Sequence, residues 1–171
     1  MLSSLPWEAR LTKSGSLTVG PGGTDARMTR SFAHPASYVW EMLTAPARLA
    51  EWLAPGTIEP RVGGVARLDF QDSGIVIDST VTEFEPVRAI GYSWSGPREP
   101  LRPLRFRLEP VSDGTRLEVT LRVPKGEDAA RSAAGFEAHL EMLAAALEGV
   151  PIKFPFQLFK ELRAEYQAEL A

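Results

Sequence analysis

Apolar and polar residues alternate most strictly in TRLEVTLRVP, where Leu117, Val119, Leu121 and Val123 interleave with Arg116, Glu118, Thr120 and Arg122. A period of two buries one face and wets the other, which predicts a strand of an antiparallel sheet. LRFRLEP repeats the pattern, with Leu104, Phe106 and Leu108 on one face and Arg105 and Arg107 on the other. Ser112-Asp113-Gly114 between them predicts a hairpin turn. Upstream, VARLDF, IVIDSTVTEFEP and AIGYSWS read as further strands, separated by Asp72-Ser73-Gly74 and Pro86-Val87-Arg88. In AIGYSWS, Ile90, Tyr92 and Trp94 share a face. Near the start, Gly20-Pro21-Gly22-Gly23 lies between two extended runs and reads as a hairpin tip, since a phosphate cradle would need a following Lys-Ser/Thr and a helix. The total is six or seven strands.

The period changes twice to that of a helix. In HPASYVWEMLTAPARLAEWLAPG, Val39, Met42 and Leu43 form one short stripe and Leu49, Trp52 and Leu53 a second. Pro35 suits a first turn, Thr44 is expected to cap the second helix, and Pro55-Gly56 ends it. Neither is long enough to stand alone, so both need a sheet to lie across. Beyond Glu127 and Asp128, which favour a helix start, Phe136, Leu140, Leu143 and Leu147 make a continuous stripe closed by Gly149. About 20 residues of helix span some 30 Å, enough to cross the sheet. A last amphipathic segment carries Phe156, Phe159, Leu162, Tyr166 and Leu170. It is expected to pack on the domain or on a second subunit, which leaves a homodimer open.

A chain of 171 residues is enough for one domain with a sizeable core. We expect a single domain over residues 1–171, with its core at about 11–148, an additional helix at 154–170, and residues 1–10, with Trp7, as an arm. The net charge of −3 gives no pull toward nucleic acid or an anionic membrane. No apolar run approaches the roughly 20 residues of a membrane helix. Absence of cysteine excludes disulfides and thiolate chemistry. MLSSLPWEARL has no basic segment followed by an apolar run, so no secretory signal is read and a cytoplasmic protein is expected.

The order of strand, two short helices, antiparallel strands and long helix resembles the START-like superfamily, an α+β helix-grip fold. Within it the chain most resembles the branch named after the Hsp90 ATPase activator homologue. The residues that carry this are Val39-Trp40, Glu51-Trp52, Val62-Gly63-Gly64, the run VTEFEPVRAIGYSW, Asp113-Gly114-Thr115 and GFEAHLEMLAAAL, together covering about residues 27–148. Phe136 stands where such proteins usually carry Trp. The resemblance implies a curved sheet gripping the long helix around a cavity that related proteins use for lipids, polyketides, hormones or other apolar molecules.

Chemical candidates are few. His34 and His139 cannot form a His-x-x-x-His pair and have no carboxylate cluster at ligand spacing, so neither metal nor cofactor is expected. Gly91-Tyr92-Ser93-Trp94-Ser95 falls within a strand and lacks the last Gly of a nucleophile elbow, so no catalytic serine is assigned. Trp52, Phe70, Tyr92, Trp94, Phe106 and Phe136 are candidates to line an apolar pocket, with Trp52 at its mouth, or to fill a core. His139 and Leu143 on the long helix complete the candidate ligand-binding set. His139 either offers a polar group to a ligand or is satisfied by backbone or water. Phe70 is the least secure member, because Val65, Arg67 and Asp69 hold the other parity of its strand. Arg98, Arg102, Arg105 and Arg107 read as a solvated face. Glu137 and Glu141 lie off the apolar stripe and are expected to be exposed. The expected function is binding of a small apolar molecule. The alternatives are an aromatase/cyclase-type enzyme using the same cavity, or a protein-interaction module that regulates a chaperone.

Overall fold

The computed structural model describes residues 13–71 and 73–171. The expected N-terminal arm and Trp7 lie outside the described residues. One antiparallel sheet contains eight strands: β1 (Ser16–Gly20), β2 (Gly23–Phe32), β3 (Gly56–Ile58), β4 (Val65–Phe70), β5 (Ile75–Glu85), β6 (Ala89–Tyr92), β7 (Leu104–Val111) and β8 (Gly114–Pro124). Their spatial order is β1-β2-β8-β7-β6-β5-β4-β3. The expected count of six or seven is therefore corrected to eight. The strand missed is β3, three residues pairing with Leu68, Arg67 and Ala66 of β4, too short to show a period. A shift in register between Val81 and Glu83 marks a bulge in β5, a device that bends and twists a strand.

Between β2 and β3 lie α1 (Ala36–Thr44) and α2 (Pro46–Trp52). Pro46 occupies the first turn of α2, but Ala45, without a side-chain bond, is its cap. Thr44 instead bonds back to the carbonyl of Trp40 at 2.8 Å, so the expected Thr44 cap is corrected. The long helix α3 (Ala129–Leu147) begins where the Asp128 side chain accepts the Arg131 N–H at 3.0 Å. It ends beside Gly149, whose φ of 77° suits glycine.

The inward faces follow the alternation. Leu104, Phe106 and Leu108 of β7 and Leu117, Val119, Leu121 and Val123 of β8 are buried, together with Leu140, Leu143 and Leu147 of α3. On β4 the question of parity resolves in favour of Phe70: Ala66 and Leu68 are buried, whereas Val65 is exposed. The sheet thus holds α3 on one side, and α1 and α2 close over part of the interface.

Helix α4 (Phe156–Leu170) packs along α3 through Leu162 and Tyr166. Its anchor is polar. The Glu137 carboxylate on α3 accepts the Tyr166 hydroxyl at 2.7 Å, the Ser14 N–H at 2.8 Å and an Arg30 N–H at 3.2 Å. Glu137 is 0% exposed, which corrects the expectation of a solvated side chain. A carboxylate on a helix carrying Phe136 and Leu140 reads as surface only while one buried face is assumed. With α4 added, α3 is covered on two sides, and Arg30 and Tyr166 supply the partners that a buried charge requires. Glu141 is largely buried too, with Arg30 3.7 Å from it.

Candidate site between the sheet and the long helix

The expected ligand-binding residues converge. Their contacts form a closed circuit that begins at the C-terminus of α2. The Trp52 ring meets Phe106 edge-on at 6.1 Å, Phe106 meets Tyr92 at 6.4 Å, and Tyr92 meets Trp94 at 6.1 Å. Trp94 then meets Phe70 at 6.2 Å, and Phe70 meets His139 at 5.8 Å. His139 Nδ1 returns to α2, 2.9 Å from the Trp52 carbonyl oxygen. Phe136 joins at Trp94, 5.7 Å away. Such tilted and edge-to-face geometries are those that aromatic quadrupoles favour.

The circuit has a deeply buried half and a half-buried one. Trp52 is 1% exposed and its indole N–H donates to the Met42 carbonyl at 2.7 Å, so it is a core residue and not the rim of a mouth. Phe106 and Leu143 are buried equally deeply. On the other side Phe70 and His139 are only half-buried. Over them lies the segment joining α3 to α4: Phe154 stacks against His139 at 5.3 Å and against Phe159 of α4 at 5.7 Å. Phe154 and its neighbour Phe156 are 36% and 59% exposed. This connection is the feature missed in the sequence, although VPIKFPF between two helices is unusually apolar for a loop and is the signal that could have found it.

Two polar atoms stand out among these rings. The Tyr92 hydroxyl has no hydrogen-bond partner among the described residues, although the side chain is 2% exposed, and burial pushes its phenol well above the usual value. The second is on His139. A carbonyl oxygen only accepts, so Nδ1 carries the proton donated to Trp52 and Nε2 is left as an acceptor. Burial pushes the His139 imidazole below its ordinary value, with the Trp52 bond opposing, so the ring is held neutral.

The corner after β6 places Trp94. Its φ of 50° is rare for a large residue. The Ser93 hydroxyl accepts the Thr80 N–H at 3.0 Å and donates to the Ser95 carbonyl at 3.1 Å, and the Ser95 hydroxyl returns a bond to the Ser93 carbonyl at 3.2 Å. Both serines are engaged in holding the turn, and the strand expected over AIGYSWS is corrected to end at Tyr92, because the chain turns at the left-handed Trp94. The arginines also have structural partners. Arg105 is paired with Glu83 at 2.7 Å and Arg102 with Glu127 at 2.8 Å.

A shallow depression of about 420 Å³ lies away from this site, lined by His34, Pro35, Pro110, Val111 and Asp113 among others. His34 there pairs with Glu148 at 2.8 Å. Among the described residues no group of three or more acidic, histidine or cysteine side chains is placed to hold a metal, and no helix is long and apolar enough to cross a membrane.

Residues 33–148 match the family described as activator of Hsp90 ATPase homolog 1-like protein. The chain belongs to this family. Its fold is also that of CalU16 from Micromonospora echinospora, at 20% identity over 92% of this chain and 99% of that one, with a TM-score of 0.75. EF2215 from Enterococcus faecalis is similar at 18% identity over 91% and 90% of the two chains, with a TM-score of 0.74. DynU16, a protein of the dynemicin biosynthetic locus, is 31% identical over 73% of this chain, with a TM-score of 0.65, and this chain covers 48% of it. Among curated proteins none matches. The family match supports the START-like, helix-grip architecture expected from the order of the elements.

Proposed function

We propose that this protein binds one small, largely apolar molecule at the outer half of the aromatic circuit, against Phe70, Trp94, Phe136 and His139 and under Phe154. The observation that carries the reading is the set of rings around half-buried Phe70 and His139, where neither the imidazole Nε2 nor the Tyr92 hydroxyl has a hydrogen-bond partner among the described residues. The eight residues expected from the sequence divide accordingly. Phe70, Tyr92, Trp94, Phe136 and His139 contact the ligand, while Trp52, Phe106 and Leu143 form the packed floor behind them. Apolar walls with a few fixed polar groups are the usual makeup of a small-molecule site. The 31% identity to a protein of a biosynthetic locus supports a small-molecule ligand.

The test is equilibrium dialysis of the purified protein against 2-naphthol and 2-methoxynaphthalene. Saturable binding of either at one molecule per chain, lost in Trp94→Ala, is the expected result. No saturable binding of either overturns the proposal.

A second reading, a surface for self-association, is favoured by the exposure of Val150, Ile152 and Phe156 beside Phe154. Light scattering of the wild-type protein and of Phe156→Glu separates the two. A dimer that the substitution dissociates, without change in naphthol binding, assigns this patch to assembly.

A further inference from the structure

The imidazole of His139 is fixed in place. Nδ1 is committed to the Trp52 carbonyl at 2.9 Å, and the ring faces Phe70 at 5.8 Å and Phe154 at 5.3 Å. In an imidazole the two nitrogens point in diverging directions. With Nδ1 turned to the end of α2, Nε2 points away from α2, and among the described residues it has no hydrogen-bond partner. Because Nδ1 holds the ring's one proton, Nε2 offers a lone pair and nothing else.

We propose that His139 is the specificity residue of this site: its Nε2 accepts a hydrogen bond from a hydroxyl group on a planar aromatic ligand covered by Phe154. This rests on the binding function proposed above and adds the class of ligand to it. Three features bear on that class. The surrounding rings present apolar faces and edges to a flat molecule. A lone pair in such surroundings rejects a ligand acceptor and rewards a donor, since a group built to bond and left unpaired is what discriminates. The Tyr92 hydroxyl supplies the complementary donor, so a molecule carrying both a hydroxyl and a carbonyl is matched at two points.

The experiment compares 2-naphthol with 2-methoxynaphthalene, which has the same ring system but no donor. In the wild-type protein 2-naphthol is expected to bind about two- to twelvefold more tightly, the span of one net hydrogen bond. In His139→Phe, which keeps a flat ring between Phe70 and Phe154, the two probes are expected to bind alike. Nitrogen-15 NMR of the wild-type protein gives a readout independent of that variant's folding: the Nε2 resonance should move on adding 2-naphthol and stay with 2-methoxynaphthalene. Equal affinities in the wild type, or a preference that survives in His139→Phe, overturn the role of His139 and leave the binding function standing. If neither probe binds, both fall.

Discussion

The Tyr166 hydroxyl donates to the Glu137 carboxylate at 2.7 Å, and both side chains are fully buried where α4 lies against α3. Burial first, and the neighbouring carboxylate next, push the Tyr166 phenol upward, so it remains a donor throughout the physiological range. Tyr166→Phe removes one bond to a charged group and should cost about 1.5–3 kcal/mol. Glu137→Ala leaves Arg30 without its closest buried partner and should cost more, about 3–5 kcal/mol. Urea denaturation followed by circular dichroism gives both values. The double variant should lose less than their sum, because the two share one interaction.

Gly135 sits inside α3, two residues before Glu137, and a β-carbon built there meets nothing within 4 Å. Its φ is not in the left-handed region, so no backbone requirement holds a glycine there. Gly135→Ala is therefore expected to stabilise the fold by about 0.5–1 kcal/mol through the unfolded chain's lost freedom. A rise in the urea midpoint at unchanged slope is the outcome to look for. An increase in naphthol dissociation constant in the same variant would place Gly135 against the ligand.

Period and punctuation made the architecture readable. Strict alternation in β7 and β8 and the stripe from Phe136 to Leu147 are strong because one face of each element is buried along its whole length. β3 was hidden because three residues have no period, and Thr44 misled because a hydroxyl near a helix end can bond back as well as cap forward. Glu137 was invisible for a different reason. Its environment comes from Ser14, Arg30 and Tyr166, which lie 123, 107 and 29 residues away. The site residues were legible as apolar and aromatic, but the division into floor and contact surface depends on the tertiary position of Phe154, which no local pattern encodes.

Leu143 illustrates the floor. It is fully buried on the sheet-facing side of α3. Leu143→Ala should cost about 2–5 kcal/mol, the spread reflecting how far the surroundings collapse into the space. Chemical denaturation measures it. Were Leu143 a ligand contact with slack around it, the loss would be well under this range while the naphthol dissociation constant rose.

The neutral His139 ring carries a pH signature whose sign can be worked out. Burial sets its pKa below the ordinary value of 6.5, and the Trp52 bond only partly restores it. In the unfolded chain the imidazole titrates near 6.5. As pH falls through that value the unfolded state takes up a proton that the folded state still refuses, so unfolding is favoured. The contribution of His139 to stability is thus complete above about pH 6.5 and declines on acidification toward the folded pKa. His139→Phe has no proton to bind. Its urea midpoint should fall less than that of the wild type between about pH 7.5 and pH 5.5, and carboxylate effects common to both proteins cancel in the comparison. Parallel curves for the two proteins would mean that His139 is accessible to protons in the folded state, and would remove the basis for a lone pair held ready at Nε2.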